Sequence, residues 1–304
     1  MKIRRYSFWM VFVVFFFAAC NEPDLTPAYL VITEADLQNC VDVSQFNTTH
    51  DQSYDQVQLE AIASHRFRDV WVYINGQNLG CWELPCKIPI LPHFNGENEV
   101  KLVPGIRLNG MSSMIPAYPF LAPFTFTTYF DREGVYHLTD HRPTFVYHPT
   151  TIFPLLETFD QSTTFSPIDS NGVVMSIINE GTNAIGEICL TDTLKYFDIK
   201  SGEYVLKGNN NFTFWEMDYK CDEHISCGLF IRTISGRVVP VSLVSLNPSK
   251  GEWRKVYINL TTVLANYTGV NATVPVQLVM TGNRKGDQTD TYFQFDNIKI
   301  ITFK

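Results

Sequence analysis

The sequence predicts an all-β protein made of an N-terminal β-sandwich followed by a second β-sandwich. The chain has 304 residues, enough for two domains of about 150 residues each. Short apolar runs alternate with polar residues and end at turn dipeptides such as Asn75-Gly76 and Asn109-Gly110. These are the marks of antiparallel strands joined by tight turns. Strands at this spacing favour sandwiches over alternating strand and helix units.

Residues 1–19 are predicted to be a signal peptide. Lys2, Arg4 and Arg5 precede the apolar stretch Phe8–Ala19, which ends in two alanines directly before Cys20. Charged, apolar and small residues in this order are typical of secretion signals, and the apolar stretch is shorter than the ~20 residues that a membrane-spanning helix needs. The final Ala-Ala-Cys resembles the lipobox of bacterial lipoproteins. The resemblance implies that Cys20 is lipidated and begins the mature chain; the alternative is an ordinary signal peptide with a chance cysteine.

Residues 20–26 are predicted to be the lipidated cysteine and a tether. The acidic stretch Asn21-Glu22-Pro23-Asp24 resembles the surface-export signal of Bacteroidota lipoproteins, although a solvated linker has the same composition. The resemblance implies a protein that acyl chains anchor in the outer membrane, facing the cell exterior.

The charge of the chain excludes one class of partner. The formal net charge is −8, from 23 basic and 31 acidic residues. Removing Lys2, Arg4 and Arg5 leaves 20 basic residues against 31 acidic ones, or −11. An acidic protein repels phosphate backbones, so we expect no binding to nucleic acid.

Six cysteines follow Cys20, and export permits disulfides between them. The close pairs Cys81/Cys86 and Cys221/Cys227 are the preferred bridges, since a polar gap at Asp222–Ser226 separates the second pair. Other connectivities stay open. Zinc fits less well. Zinc sites bring together two cysteine pairs, each with two to four intervening residues. Here the two pairs have four and five intervening residues, and no second pair complements either.

The first half, residues 27–150, is predicted to contain strands at Tyr29–Ile32, Val70–Ile74, Cys86–Leu91 and Glu99–Val103. The polar stretch Asn47–Gln58 is predicted to be a loop.

Aromatic residues mark the end of this half. Strand alternation places Phe124, Phe126, Thr128 and Phe130 on one core-facing side. Val135–Tyr147 is predicted to be a further strand region. Prolines then interrupt the alternating strand pattern, so the domain boundary is expected near 150–154.

The first half carries a resemblance. Ser64-His65, Asp69–Gly76, Ile88–Leu91 and Pro104–Ile106 look like a group of uncharacterised Bacteroidota surface lipoproteins. The same stretch is similar to small PEGA-type β domains with a V-x-V-N-G-x-x-L-G core. The resemblance implies an Ig/PEGA-like sandwich and provides no active site.

The second half, residues 155–304, resembles the galactose-binding-like jelly rolls that include many carbohydrate-binding modules. The motifs are Phe212–Lys220, the W-x-K-V-x-I-x-L run Trp253–Leu260, and the closing F-D-N-I strand within Tyr292–Ile300. The resemblance implies a jelly-roll β-sandwich whose last strand lies beside its first, with a short helical turn after Leu260.

The same resemblance implies a structural calcium site between the first and last strands. Glu157, Asp160 and Asp296 would supply the hard oxygen ligands that Ca²⁺ prefers. Solvated acids at strand ends are the alternative, and no other cofactor is expected.

One modification pattern occurs. Asp192-Thr193-Leu194 matches the short pattern for O-glycosylation in Bacteroidota, which makes Thr193 a candidate. Three-residue patterns of this kind are frequent by chance.

Two groups of side chains are candidates for a catalytic or metal site. Glu216 and Asp218 share a strand face, and paired acids ~5 Å apart serve retaining glycosidases. Laminarinase-like jelly rolls carry a third acid, which Cys221 replaces here, so an exposed strand face is the alternative. A histidine cluster occurs at His137, His141 and His148, with Asp140 among them. We predict no catalytic residue and no enzyme, because no nucleophile motif occurs.

Three functional hypotheses remain. The first is an interaction subunit that docks on an outer-membrane β-barrel protein or on other surface lipoproteins, in insertion, secretion or uptake machinery. The second is a glycan-binding lipoprotein of a polysaccharide-uptake system, and the third a surface glycosidase. An exposed row of aromatic side chains would favour glycan; Trp215 and Trp253 lie in patterns typical of core.

Overall fold

The computed structural model describes residues 26–170, 172–208, 211–267, 273–284, 286 and 290–304. The signal peptide, Cys20 and most of the tether lie outside the described residues. Within these ranges, no helix has the length and apolar character needed to cross a lipid bilayer.

The described ranges contain nineteen strands and three α-helices. The strands of the first half are β1 Ala28–Ile32, β2 Asp69–Ile74, β3 Gln77–Glu83, β4 Cys86–Ile90, β5 Gly96–Gly105, β6 Phe124–Phe130 and β7 Val135–His137. The strands of the second half are β8 Thr151–Glu157, β9 Ser166–Pro167, β10 Ser176–Glu180, β11 Asn183–Leu190, β12 Tyr196–Lys200, β13 Tyr204–Lys207, β14 Thr213–Cys221, β15 Ile225–Arg232, β16 Val238–Leu246, β17 Arg254–Asn259, β18 Thr273–Asn283 and β19 Thr291–Phe303. The helices are α1 Phe46–His50, α2 Gln56–Ala63 and α3 Thr261–Tyr267.

Two sheets form the first half. One has the order β4-β1-β7 and the other β3-β2-β5-β6. At the β2–β3 hairpin, Asn75 and Gly76 have φ of +48° and +79°, as the Asn-Gly pair predicts for a type I′ turn. In β6, Phe124, Phe126, Thr128 and Phe130 share the less exposed face.

Two predictions for the first half are wrong. The expected loop at Asn47–Gln58 contains α1 and the start of α2. Helix α2 begins at a capping box, in which the Asp55 side chain accepts from the Gln58 amide at 2.8 Å and the Gln58 side chain accepts from the Asp55 amide at 3.1 Å. Satisfying these otherwise unpaired helix-end donors stabilises the first turn. The expected strand over Val135–Tyr147 ends at His137 and continues as a 3₁₀ turn.

Two six-stranded sheets form the second half, as predicted for a jelly-roll sandwich. The first has the order β10-β11-β19-β14-β17 with β8 beside β19, and the second the order β16-β15-β18-β12-β9 with β13 beside β18. The first strand, β8, therefore pairs with the last, β19, and the short helix α3 follows β17. The all-β class is thereby confirmed for both halves.

The two sandwiches share an extensive contact. Phe214, Tyr257 and Ile301 of the second half belong to the apolar core of the first half. At the edge strand β17, the Asn109 amide donates to the Tyr257 carbonyl at 2.8 Å, and the Asn259 amide donates to the Asn109 side chain at 2.9 Å. A turn of the N-terminal domain therefore covers the edge of the C-terminal sheet.

Candidate functional site

The acids Glu216 and Asp218 lie on the outer face of β14, as strand alternation predicts. Their neighbours Trp215 and Met217 point into the core of the C-terminal sandwich. Glu216 is opposite Lys299 on β19, and Asp218 is opposite Lys255 on β17. The N-terminal domain packs on this face.

Glu216 is completely buried beneath the N-terminal domain. Its Oε1 accepts a hydrogen bond from the Tyr118 hydroxyl at 2.5 Å, and its Oε2 lies 3.5 Å from Lys299 Nζ. His65 Nδ1 lies 3.9 Å from the same oxygen. A carboxylate removed from water requires partners such as Tyr118 and Lys299.

Lys299 connects the two domains at the end of α2. Its ammonium group donates to the carbonyl oxygens of Ala61 and Ile62 at 3.0 Å each and of Ser64 at 3.3 Å. Lysine at a helix C-terminus satisfies carbonyls that lack intrahelical partners. Burial lowers the pKa of Lys299 to about 7, with a further lowering from Lys255.

His65 is held as a neutral side chain. The Tyr147 hydroxyl donates to the Ile62 carbonyl at 2.8 Å, so His65 Nε2 must be the donor in its 2.6 Å contact with that hydroxyl. We assign Nδ1 as the acceptor from Tyr257, at 3.4 Å. Burial, followed by the charges of Lys299 and Lys255, holds the pKa of His65 well below its usual range.

The glycosidase hypothesis is therefore not supported by the geometry. A glycosidase needs both acids beside a glycosidic bond, whereas Glu216 has no solvent access and already has Tyr118 and Lys299 as partners. The simpler alternative of an exposed strand face is also wrong for Glu216. The reason is tertiary: the residues that cover it come from the other domain.

Asp218 lies at the rim of the covered face, with 19% of its side chain exposed. Its Oδ2 accepts from Lys255 Nζ at 3.0 Å, Ser64 Oγ at 3.2 Å and Asn297 Nδ2 at 3.0 Å. Beyond this point the interface opens to solvent.

A cleft opens at this rim between the domains. One part has a volume of ≈340 Å³ and is lined by Arg66, Arg68, Arg107, Trp253 and Arg254 among others. The adjoining part, of ≈310 Å³, is lined by Ser64, Asn183, Asp218 and Asp296 among others. Trp253 and Arg66 line both parts, so they separate the two.

Trp253 was expected in the core and is instead half-buried in this cleft. Its Nε1 donates to Glu180 Oε2 at 2.9 Å, and Lys220 Nζ lies 5.5 Å from its ring centroid. The Arg66 guanidinium donates to the backbone carbonyl of Trp253. The turn at Lys250-Gly251, with φ of +60° and +81°, places Trp253 just before β17 begins. The Lys-Gly dipeptide was the sequence signal that could have predicted this position.

The proposed calcium ligands are held by separate partners. Glu157 Oε2 accepts from the amide and hydroxyl of Thr164 at 2.7 and 3.0 Å. Asp296 Oδ2 accepts from Asn183 Nδ2 at 2.8 Å, and burial raises the pKa of Asp296 to about 6. Asp160 is exposed. Across the described ranges, no three His, Cys, Asp or Glu side chains are grouped to hold a metal, so neither these acids nor the histidine cluster is assembled into one site.

The six cysteines are free thiols in the structure. Burial raises the pKa of Cys221 to about 11, and burial together with neighbouring Cys221 raises the pKa of Cys227. Cys81 and Cys86 are partly buried, and burial raises the pKa of each to about 11. The two bridges stay predictions. Thr193 is exposed in the turn between β11 and β12, with its hydroxyl 3.2 Å from that of Thr191, and its glycosylation also stays a prediction.

Comparisons with known proteins find similarity only at the level of structure. No family model matches the chain, and no curated protein matches it. Similar solved structures include the CBM22-1 xylan-binding domain of Paenibacillus barcinonensis Xyn10C, at 12% identity and a TM-score of 0.36, covering 51% of this chain and 97% of that one. Another is the family 11 carbohydrate-binding module of Clostridium thermocellum Lic26A-Cel5E, at 16% identity and a TM-score of 0.31, covering 49% of this chain and 94% of that one. The expectation of an outer-membrane interaction subunit finds no support in these likenesses.

Proposed function

We propose that this protein is a non-catalytic binding protein that holds a carbohydrate in the cleft between its two β-sandwiches. The observation that carries the proposal is the half-buried Trp253 at the centre of that cleft. Sugars present apolar C–H faces and polar rims, so their sites combine an aromatic surface with converging hydrogen-bonding groups. Ligand sites of this composition occur preferentially at domain interfaces.

The polar groups needed for orientation converge around Trp253. On one side lie Asn183 and Asp218, on the other lie Arg68 and Arg254, and Arg66 lies beside Trp253 between them. A tryptophan contributes a large apolar surface and loses little conformational entropy on binding, because it has only two side-chain torsions.

The cleft is also built on fixed elements. The N-terminal domain contributes Arg66, and the C-terminal domain contributes Trp253 from the start of β17. The buried contacts of Lys299 with the end of α2 hold these elements together. A site organised before binding loses less free energy to ordering its own side chains.

A titration of the full-length protein in detergent tests the proposal. An array of glycans selects a ligand, and calorimetry then compares the wild type with Trp253→Ala. We expect at least about tenfold weaker binding, as for central aromatic residues of other interfaces. Tyr196→Ala removes an aromatic side chain that is 58% exposed in the other sheet, so it is the matched control and should leave affinity unchanged. Unchanged affinity in Trp253→Ala would contradict the assignment of the cleft.

A protein partner is the second candidate, and a different surface favours it. Ile234 is 90% exposed at the β15–β16 turn, Val238 is 44% exposed at the start of β16, and Val205 is 62% exposed on β13, on the far side of β18 in the same sheet. Exposed apolar groups of this kind occur at protein contacts. Pulldown from solubilised outer membranes should recover a stoichiometric β-barrel protein or surface lipoprotein with the wild type. The double variant Ile234→Ser/Val205→Ser should lose it, whereas Tyr129→Ser on the N-terminal domain should retain it.

The proposed location is the outer membrane, with anchoring through acyl chains on Cys20 and the cleft facing the cell exterior. The lipobox-like run before Cys20 supports this proposal. Stable anchoring needs two or more acyl chains, because one chain binds a bilayer only weakly.

A further inference from the structure

We infer that the cleft selects an acidic saccharide, one that carries carboxylate or sulfate groups, and that the acidic group binds on the arginine side of Trp253. This inference rests on the proposed function and specifies its ligand. The first observation is the local charge. The lining includes five basic and two acidic residues, namely Arg66, Arg68, Arg107, Arg254 and Lys255 against Asp69 and Glu252. The formal charge of this lining is therefore +3, in a chain whose formal charge is −8.

Two of these cations already have carboxylate partners. Arg107 Nε lies 2.9 Å from Asp69 Oδ2, and its Nη2 lies 2.6 Å from Glu83 Oε1. Lys255 Nζ lies 3.0 Å from Asp218 Oδ2. These two residues are neutralised within the protein.

In the part of the chain that the structure describes, the other three cations have no carboxylate within salt-bridge distance, although the Arg66 guanidinium donates one hydrogen bond to the Trp253 carbonyl. Arg66, Arg68 and Arg254 form no ion pair with any residue of the described ranges. Arg66 and Arg68 are exposed and alternate with the inward-facing His65 and Phe67, which places both guanidinium groups on the same side of the chain. Arg254 is at the start of β17, opposite Tyr219 on β14.

Guanidinium groups suit an acidic sugar. Each presents paired N–H donors that match the oxygens of a carboxylate or sulfate. The arginine side, where basic residues outnumber acidic ones, also concentrates anionic ligands. Beyond Trp253, in contrast, the lining includes Glu180, Asp218 and Asp296. The carboxylates of Glu180 and Asp218 are paired with Lys220 and Lys255 at 3.2 and 3.0 Å. This side therefore offers oxygens that accept hydrogen bonds from sugar hydroxyls, which gives the bound sugar a direction.

The test measures binding of four trisaccharides to the full-length protein in detergent. Trigalacturonate and its methyl ester have the same skeleton and differ in charge. A sulfated trisaccharide is the second acidic ligand, and an unmodified neutral trisaccharide completes the set. At low salt we expect an acidic trisaccharide to bind about tenfold more tightly than the ester, and the preference should shrink at high salt.

Substitutions locate the acidic group. Arg66→Gln/Arg68→Gln should reduce the preference about fivefold or more, and Arg254→Gln should reduce it independently. The matched control is Arg232→Gln, since Arg232 is exposed on the other sheet and pairs with Glu203 at 2.8 Å; it should retain the preference. The unfolding midpoint of each variant verifies the fold.

Each outcome decides between the two proposals. If only the sulfated sugar binds, with the same arginine dependence, the acidic group is a sulfate and the inference holds. Equal binding of the ester and the acid overturns the inference and leaves carbohydrate binding in place. An acid preference that survives Arg66→Gln/Arg68→Gln also overturns it, because the anion is then recognised elsewhere. If none of the four sugars binds, and the glycan array also selects nothing, both proposals fail.

Discussion

Lys299 on β19 and Glu216 on β14 lie opposite each other in one sheet, with Nζ 3.5 Å from Oε2 and neither side chain exposed. Burying both groups without water requires hydrogen-bonding partners from the N-terminal domain. Lys299 also donates to three carbonyls at the end of α2, and Glu216 accepts from Tyr118. This pair therefore makes the two sandwiches one structural unit.

Lys299→Met should strongly destabilise the protein. It leaves the Glu216 carboxylate buried without its cation and the α2 carbonyls without a donor, a loss of about 3–5 kcal/mol in the free energy of unfolding. Urea unfolding measures the change. The exposed Lys207 provides a matched control, because Lys207→Met should change stability by less than about 0.5 kcal/mol. Similar stabilities for the two variants would contradict the role of Lys299.

The free energy of unfolding should depend on pH through the titration of Lys299. Its pKa is lowered from 10.5 to about 7 in the folded protein, chiefly by burial, so between these values the unfolded chain binds more protons. Stability from this group is therefore reduced below pH 7 and rises with pH above it, by at most about 1.4 kcal/mol per unit. Stability should be compared between the wild type and Lys299→Met/Glu216→Gln. The buried cysteines titrate in the same range in both proteins, so their contribution cancels in the difference. The stability difference should move in favour of the wild type between pH 7 and about 9; a constant difference would contradict this.

Cys20→Ala should release the protein from membranes. Only acyl chains on Cys20 are expected to anchor the chain, so the variant should appear in the soluble fraction after cell fractionation. An unchanged membrane fraction would show that the lipobox interpretation is wrong.

Cys221 and Cys227 should form a disulfide in secreted material. They lie at the end of β14 and within β15, on either side of the short gap Asp222–Ser226. A bridge needs Cα atoms about 4.4–6.8 Å apart. Peptide mapping without reduction should recover the two segments joined. Free thiols at both positions would contradict the predicted disulfide.

The protein should not hydrolyse polysaccharides. Glu216 has no access to solvent, so a glycosidic bond cannot reach it in this arrangement. A reducing-sugar assay over a broad polysaccharide panel should show no product. Turnover that Glu216→Gln abolishes, with the variant still folded, would restore the glycosidase hypothesis.

Local patterns determined most of the architecture. Asn75-Gly76 predicted a hairpin because few residue pairs accept positive φ at two successive positions. Phe124–Phe130 predicted a strand with the correct inner face, because side chains alternate along any strand. Asp55 and Gln58 held the signal for α2, since a capping box is local, but the polar composition of Asn47–Gln58 hid it.

Only the tertiary structure decided that the outer face of β14 is covered and that a cleft forms at Trp253. The sequence placed Glu216 and Asp218 on one face, yet it could not show that Tyr118, 98 residues earlier, covers one of them. It predicted a core position for Trp253 from its strand pattern, whereas the cleft forms only where Arg66 of the other domain meets it. The physical reason is that burial and charge pairing depend on which distant surfaces meet, and alternation along a strand carries no information about what covers its outer face.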